Sequence, residues 1–206
     1  LVKAGILKRI GRGKFTLGKG RKYIPPLSNQ IKKLNRDIQK QFPFAQSCIW
    51  NTSLFNEFML HQPGRFYTLI EVDKTATQSV FFFLKEMKKD VYLEPDANLL
   101  SLYASNADHI LIVTSLVTET PVQHVEGLLA PMLEKMLVDI FCNDVFFAAQ
   151  QGGEMKNIFI EAFDKYTLNE NKMIRYADRR RKKTAFLKYL NSTSKFRQQR
   201  PLAAKI

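Results

Sequence analysis

Apolar and polar positions follow different rhythms along this chain. In SNQIKKLNRDIQKQF, residues Ser28 to Phe42, the side chains of Ile31, Leu34 and Ile38 recur on one helical face, and Ser28 stands where a hydroxyl caps the first turn. From about Phe44 short runs of β-branched and aromatic residues take over. SCIWN, RFYTLIEV, DVYLE and HILIVTSL predict strands. TSLFNEFML, KTATQSVFFFLKEM and DANLLSLYA predict helices between them, and PVQHVEGLLA an extended segment. Trp50 and the VFFFL run belong to the interior, because aromatic clusters on such elements fill cores. In this reading Asp73 caps the helix that follows it and Glu71 faces solvent.

The chain closes on helical patterns. APMLEKMLVDIFC carries Pro131 in its first turn and turns Leu133, Met136, Leu137, Ile140 and Phe141 inward. EMKNIFIEAFDKYTL ends near Asn169, and NENKMIRYADRRRKKTAFLKYLN starts afresh as one helix. On that helix Arg179, Arg180, Arg181, Lys182 and Lys183 run through more than one full turn, so no single face hides them. The alternation of strands and helices predicts an α/β or α+β fold class with a C-terminal helical region.

Ahead of Ser28 the pattern differs again. ILKRI and KFTLG, separated by GRG, predict a β-hairpin, and LVKAG reads as a helix end closed by Gly5. Pro25 and Pro26 forbid an immediate helix and mark an exit from the unit. The expected organisation is a small N-terminal unit over 1–27, a linking helix over 28–43 and a mixed α/β domain over 44–206.

Charge sharpens this division. The 206 residues are 45% hydrophobic, enough for a sizeable core, and carry a net charge of +13. Residues 1–44 have a net charge of +11, residues 45–150 of −7 and residues 151–206 of +9. A basic head and tail flanking an acidic middle call for a polyanionic partner, with nucleic acid first among candidates. No apolar run reaches the roughly 18 residues of a membrane span, so a soluble, cytoplasmic protein without a membrane partner is expected. The sequence begins at Leu1 without an apolar leader, which reads as a trimmed chain without a secretion signal. Cys48 and Cys142 lie in apolar surroundings without CxxC spacing and read as reduced, buried thiols.

Four kinds of chemistry can be weighed on these residues. GKFTLGKG approaches a phosphate-binding loop, but Gly20 replaces the hydroxyl that would hold magnesium and the double proline excludes the helix. A DNA-touching wing explains the stretch better: Lys8, Arg9, Arg12, Lys14, Lys19, Arg21 and Lys22 crowd onto a hairpin with no acid between them. A metal-dependent nuclease would use Glu71, Asp73 and Lys74, or Asp90, Glu94 and Asp96, yet the acid-x-lysine spacing is missing. His61, His109 and His124 share no ligand spacing, and no nucleophile elbow is present. The residues therefore call for no catalysis, no metal and no cofactor.

A wing ending RIGRGKFTLG, an apolar middle holding LLAPMLEKMLVDIF and a terminal MIRYADRRRKK together resemble the AbiEi-type antitoxins and transcriptional regulators of bacterial type IV toxin-antitoxin systems. The resemblance implies an N-terminal winged helix-turn-helix that binds inverted repeats in its own promoter. It also implies a C-terminal domain that counters a nucleotidyltransferase-class toxin without forming a stable complex with it. By position, the wing role falls on Lys8, Arg9, Arg12 and Lys14, and the basic terminal helix on Arg175, Tyr176, Arg179, Arg180 and Arg181, with Lys182 and Lys183 completing the run. Only LVKAG precedes the hairpin where that family has two or three helices, so the chain alone is expected to hold duplex DNA weakly as a partial winged helix. A nuclease and a protein-interaction module are the alternatives.

Overall fold

The computed structural model describes residues 7–11, 14–17, 21–88, 90–103 and 109–199; LVKAG, Arg12 and Lys19 lie outside them. At the N-terminus, strand β1 (Leu7–Gly11) pairs antiparallel with β2 (Lys14–Leu17), setting Lys8 opposite Thr16 and Arg9 opposite Phe15. An extended segment from Arg21 leads into helix α1 (Asn29–Gln41), whose first turn is capped as its sequence predicts: Ser28 Oγ accepts the Ile31 amide at 3.3 Å.

A four-stranded sheet forms the centre. Its strands β3 (Ser47–Asn51), β4 (Tyr67–Val72), β5 (Val91–Leu93) and β6 (Ile110–Ser115) lie in the order β3-β4-β6-β5, with β3 antiparallel to β4 and the other pairs parallel. The sheet is apolar on both faces, the pattern of strands covered from both sides. On one face Ile49, Ile70, Val72 and Val113 meet Ile31 and Ile38 of α1 and Val80 and Leu84 of α2 (Thr77–Met87). Alternation sends Cys48, Trp50, Leu69, Ile110 and Ile112 to the other face, against the C-terminal helices. The helix expected as a linker is thus one layer of the fold.

Behind that second face lie α4 (Leu133–Cys142), α5 (Gly153–Lys165), α6 (Glu170–Arg179) and α7 (Lys183–Gln199), while the short α3 (Ala97–Tyr103) precedes β6. Helix α4 is enclosed nearly all round, from Leu133 through Ile140. PVQHVEGLLA forms a two-stranded hairpin of β7 (Val122–Val125) and β8 (Leu128–Pro131), turned by Glu126 at φ 49° and Gly127 at φ 80°. Two positive φ angles in a two-residue loop are what a twisted hairpin needs. The segment before α1 is anchored as well: Tyr23 is buried against Phe58 and Tyr166, and its carbonyl accepts the Gln123 side-chain amide at 3.2 Å.

Several local expectations give way to this architecture. Pro131 ends β8 and does not sit in the first turn of α4. TSLFNEFML supplies a 3-10 helix over Thr52–Glu57 in place of an α-helix, and its start is fixed by Asn51 Oδ1 accepting the Ser53 amide. Asp73 does not cap α2 with its carboxylate, which accepts the Gln46 amide at 2.8 Å and extends the β3-β4 ladder. Phe82 is 61% exposed, because α2 lies on the sheet and the middle of VFFFL points away from it. The expected single terminal helix is two, broken between Arg179 and Lys183.

Candidate functional site

The largest departure from the sequence pattern is a set of charges inside the core. Glu71 projects from β4 on the same face as Leu69, towards α4, and is buried and not solvent-facing. On α4, Lys135 and Asp139 stand one turn apart on the side turned to that strand. Lys135 Nζ donates to Glu71 Oε1 at 2.6 Å and to Asp139 Oδ2 at 2.5 Å, and its side chain is fully enclosed. Trp50 Nε1 donates to Glu71 Oε1 at 2.7 Å; the Tyr176 hydroxyl and Arg180 donate to Asp139 Oδ1 at 2.9 and 3.0 Å. Two carboxylates thus face two cations.

Enclosure sets the protonation chemistry of this group. Burial pushes the Glu71 carboxyl up, and Lys135 draws it back down. Burial opposes the Lys135 ammonium, but Asp139 and Glu71 outweigh it and hold its pKa well above the usual lysine range. Burial also raises the Cys48 thiol and the Tyr176 phenol, reinforced by Glu71 and Asp139 respectively. Because a buried charge without partners costs several kcal/mol, such groups persist only when paired and hydrogen-bonded, as they are here. The arrangement clamps β4, α4 and the end of α6 together.

That clamp positions the basic run. Helix α6 ends in a reversal in which the Arg181 amide donates to the Asp178 carbonyl at 2.9 Å and the Lys182 amide to the Ala177 carbonyl at 2.9 Å. Arg181 takes φ 56°, a left-handed conformation that this ending requires and that glycine usually supplies. Arg180 turns inward to Asp139, whereas Arg175, Arg181 and Lys182 are exposed. Arg179 pairs with Glu119, and Lys183 with Asp178 at 2.9 Å. Tyr176 is buried and belongs to the clamp, so of the seven residues placed by sequence on a basic helix surface, two point into the core.

The other candidates are dispersed. Lys8 and Arg9 lie on β1 and Lys14 on β2; Arg12 and Lys19 lie outside the described residues. Arg21 and Lys22 are exposed in the segment after the hairpin, and the Arg21 guanidinium lies 5.4 Å from the centre of the Tyr166 ring. Of the nuclease candidates, Glu71 points into the core and Lys74 to solvent. Glu94 Oε1 accepts the Ser115 amide and the hydroxyls of Thr114 and Ser115, and Asp96 Oδ1 accepts the Leu99 amide at the start of α3. His61 Nδ1 lies 2.8 Å from Glu154 Oε1. Among the described residues, no group of three or more His, Cys, Asp or Glu side chains could hold a metal ion. Both thiols are free, Cys48 buried and Cys142 half-buried.

The clamp residues Lys135 and Asp139 escape a reading by motif because their i,i+4 spacing is that of any ordinary helical ion pair. One signal does mark them: in LEKMLVDIF they are charges on the inward face of an otherwise apolar helix, as Glu71 is on an apolar strand.

Among the described residues no helix is long and apolar enough to cross a membrane. Residues 1–195 match the sequence profile of a family of unknown function, DUF6577. No curated protein and no solved structure matches the chain.

Proposed function

The chain belongs to the DUF6577 family, and we propose that it is a DNA-binding autoregulator and antitoxin that uses the β1-β2 hairpin as the wing of a winged helix. The observation that carries this reading is the antiparallel pairing of two strands bearing Lys8, Arg9 and Lys14, in a stretch whose first 44 residues hold one acid. Cations on such a hairpin reach phosphates and set the position of the protein on duplex DNA, while base choice comes from a neighbouring helix. The protein acts in the cytoplasm on its own promoter and counters a nucleotidyltransferase-like toxin without a stable complex. The exposed Arg175 on α6, with Arg181 and Lys182 at the α6-α7 reversal, forms the anion-facing surface of that second activity. The enclosure of Glu71 supports a structural part for this carboxylate, against a nuclease centre built on it.

The test is a titration of labelled duplex promoter DNA at several salt concentrations. Replacing Lys8, Arg9 and Lys14 together by Ala is expected to flatten the slope of log affinity against log salt by about 3, near 0.9 for each phosphate contact. An unchanged slope and affinity would remove the wing from the reading. Replacing Arg175, Arg181 and Lys182 by Ala is expected to impair rescue of cells from the toxin while leaving duplex binding intact.

A further inference from the structure

Helix α1 carries a second basic surface, one that its place on the sheet creates. Ile31, Asn35 and Ile38 face the core, and Lys33, Arg36 and Lys40 lie on the opposite side within an arc of about 60°. All three are exposed, and among the described residues none of them forms an ion pair. On one flank of this ridge is a groove of about 630 Å³ between α1 and the β7-β8 hairpin, lined by Arg36, Gln39, Phe44, Gln46 and His124 among others. Phe44, at the groove's edge, is 99% exposed.

Phe44 leaves its ring almost wholly in water beside unpaired cations, more so than Phe82 at 61%, while Trp50, Phe55 and Phe147 are enclosed. We propose that this ridge and groove bind single-stranded nucleic acid, with phosphates along Lys33, Arg36 and Lys40 and an unstacked base on Phe44. The charges match a phosphate backbone, and a lone exposed ring offers a face on which a base of any identity can stack. Duplex DNA fits the ridge but not the ring, because its bases are already stacked on one another. The exposed side-chain amide of Gln46 in the groove supplies a donor and an acceptor for base edges, while that of Gln39 is held by the Ala45 carbonyl and Ser47 Oγ, to which it donates. This site does not depend on the hairpin.

Fluorescence anisotropy with the full chain tests it, using a labelled thymidine 20-mer, an abasic strand of the same length and a duplex. Phe44→Ala is expected to weaken thymidine-strand binding about tenfold and to leave abasic-strand binding unchanged, with Phe44→Trp restoring the loss. Changing Lys33, Arg36 and Lys40 to Ala should weaken both strands and lower the salt slope by about 2, near 0.7 per contact. Equal loss on base-bearing and abasic strands in Phe44→Ala, or a thymidine strand that binds the charge variant as tightly as the parent, would overturn the proposal. The Lys8, Arg9 and Lys14 variant separates the two sites. If it loses the duplex and keeps the single strand, both assignments stand; if it also loses the single strand, the α1 site falls.

Discussion

Lys135 Nζ stands 2.6 Å from Glu71 Oε1 and fastens the innermost helix to the second strand of the sheet through enclosed charges. Because Asp139 and Arg180 continue the chain of contacts to the α6-α7 reversal, a core interaction is tied to the surface that displays the terminal cations.

Removing the shared cation leaves two acids buried without their common donor. Lys135→Met is therefore expected to cost about 3–5 kcal/mol, read as a lower urea midpoint at pH 7. Loss of less than about 1 kcal/mol would mean that the pair contributes no more than an exposed one.

Alkaline pH should unfold the protein early. Cys48, Tyr176 and Lys135 all keep their protons to higher pH when folded than when unfolded, for the reasons of burial and neighbouring carboxylates given above. Their stabilisation is complete below the ordinary values of about 8.5, 10 and 10.4, and is lost as pH rises through the folded ones. The urea midpoint is expected to fall above about pH 8.5, starting with the thiol. Cys48→Val should delay the onset of that fall; a midpoint that rises with pH would contradict the assignment.

Arg181 adopts a left-handed conformation at φ 56° with its side chain exposed. Arg181→Gly removes the clash of Cβ with the following carbonyl and is expected to stabilise by about 1 kcal/mol, offset in part by the greater freedom of an unfolded glycine. Thermal unfolding checks this, a rise of about 2–4 °C being expected for a chain of this size.

Ser28→Ala deletes the side-chain acceptor of the first turn of α1. It should lower stability by about 1 kcal/mol in global chemical unfolding, because α1 covers the sheet. If only amide exchange within α1 accelerates, while the global midpoint stays, α1 opens independently of the sheet.

Much of the architecture was legible in the alternation of SCIWN, RFYTLIEV and HILIVTSL, because a covered sheet writes continuous apolar runs into its strands. The amphipathic stripe and cap of α1 were equally plain. What the pattern hid was tertiary. Glu71 looks like an ordinary exposed charge until α4 brings Lys135 to it across a sequence separation of 64 residues. The break after Arg179 was hidden because its reversal uses arginine where glycine is the usual signal. Asp73 misled for a related reason: a carboxylate just before a helix favours a cap, yet here the strand ladder took it first.

Helix α1 roofs Ile49, Ile70 and Val72, while Tyr23 is wedged between Phe58 and Tyr166. A graft of a foreign basic head onto this protein would therefore need its seam before Arg21, since a cut between there and Ser28 removes Tyr23 from its cluster and one between Ser28 and Phe44 bares the sheet. Drift in the thirteen residues of α1 is therefore uneven. Ile31, Asn35 and Ile38 are answerable to the sheet, while Lys33, Arg36 and Lys40 face water and can change without disturbing it.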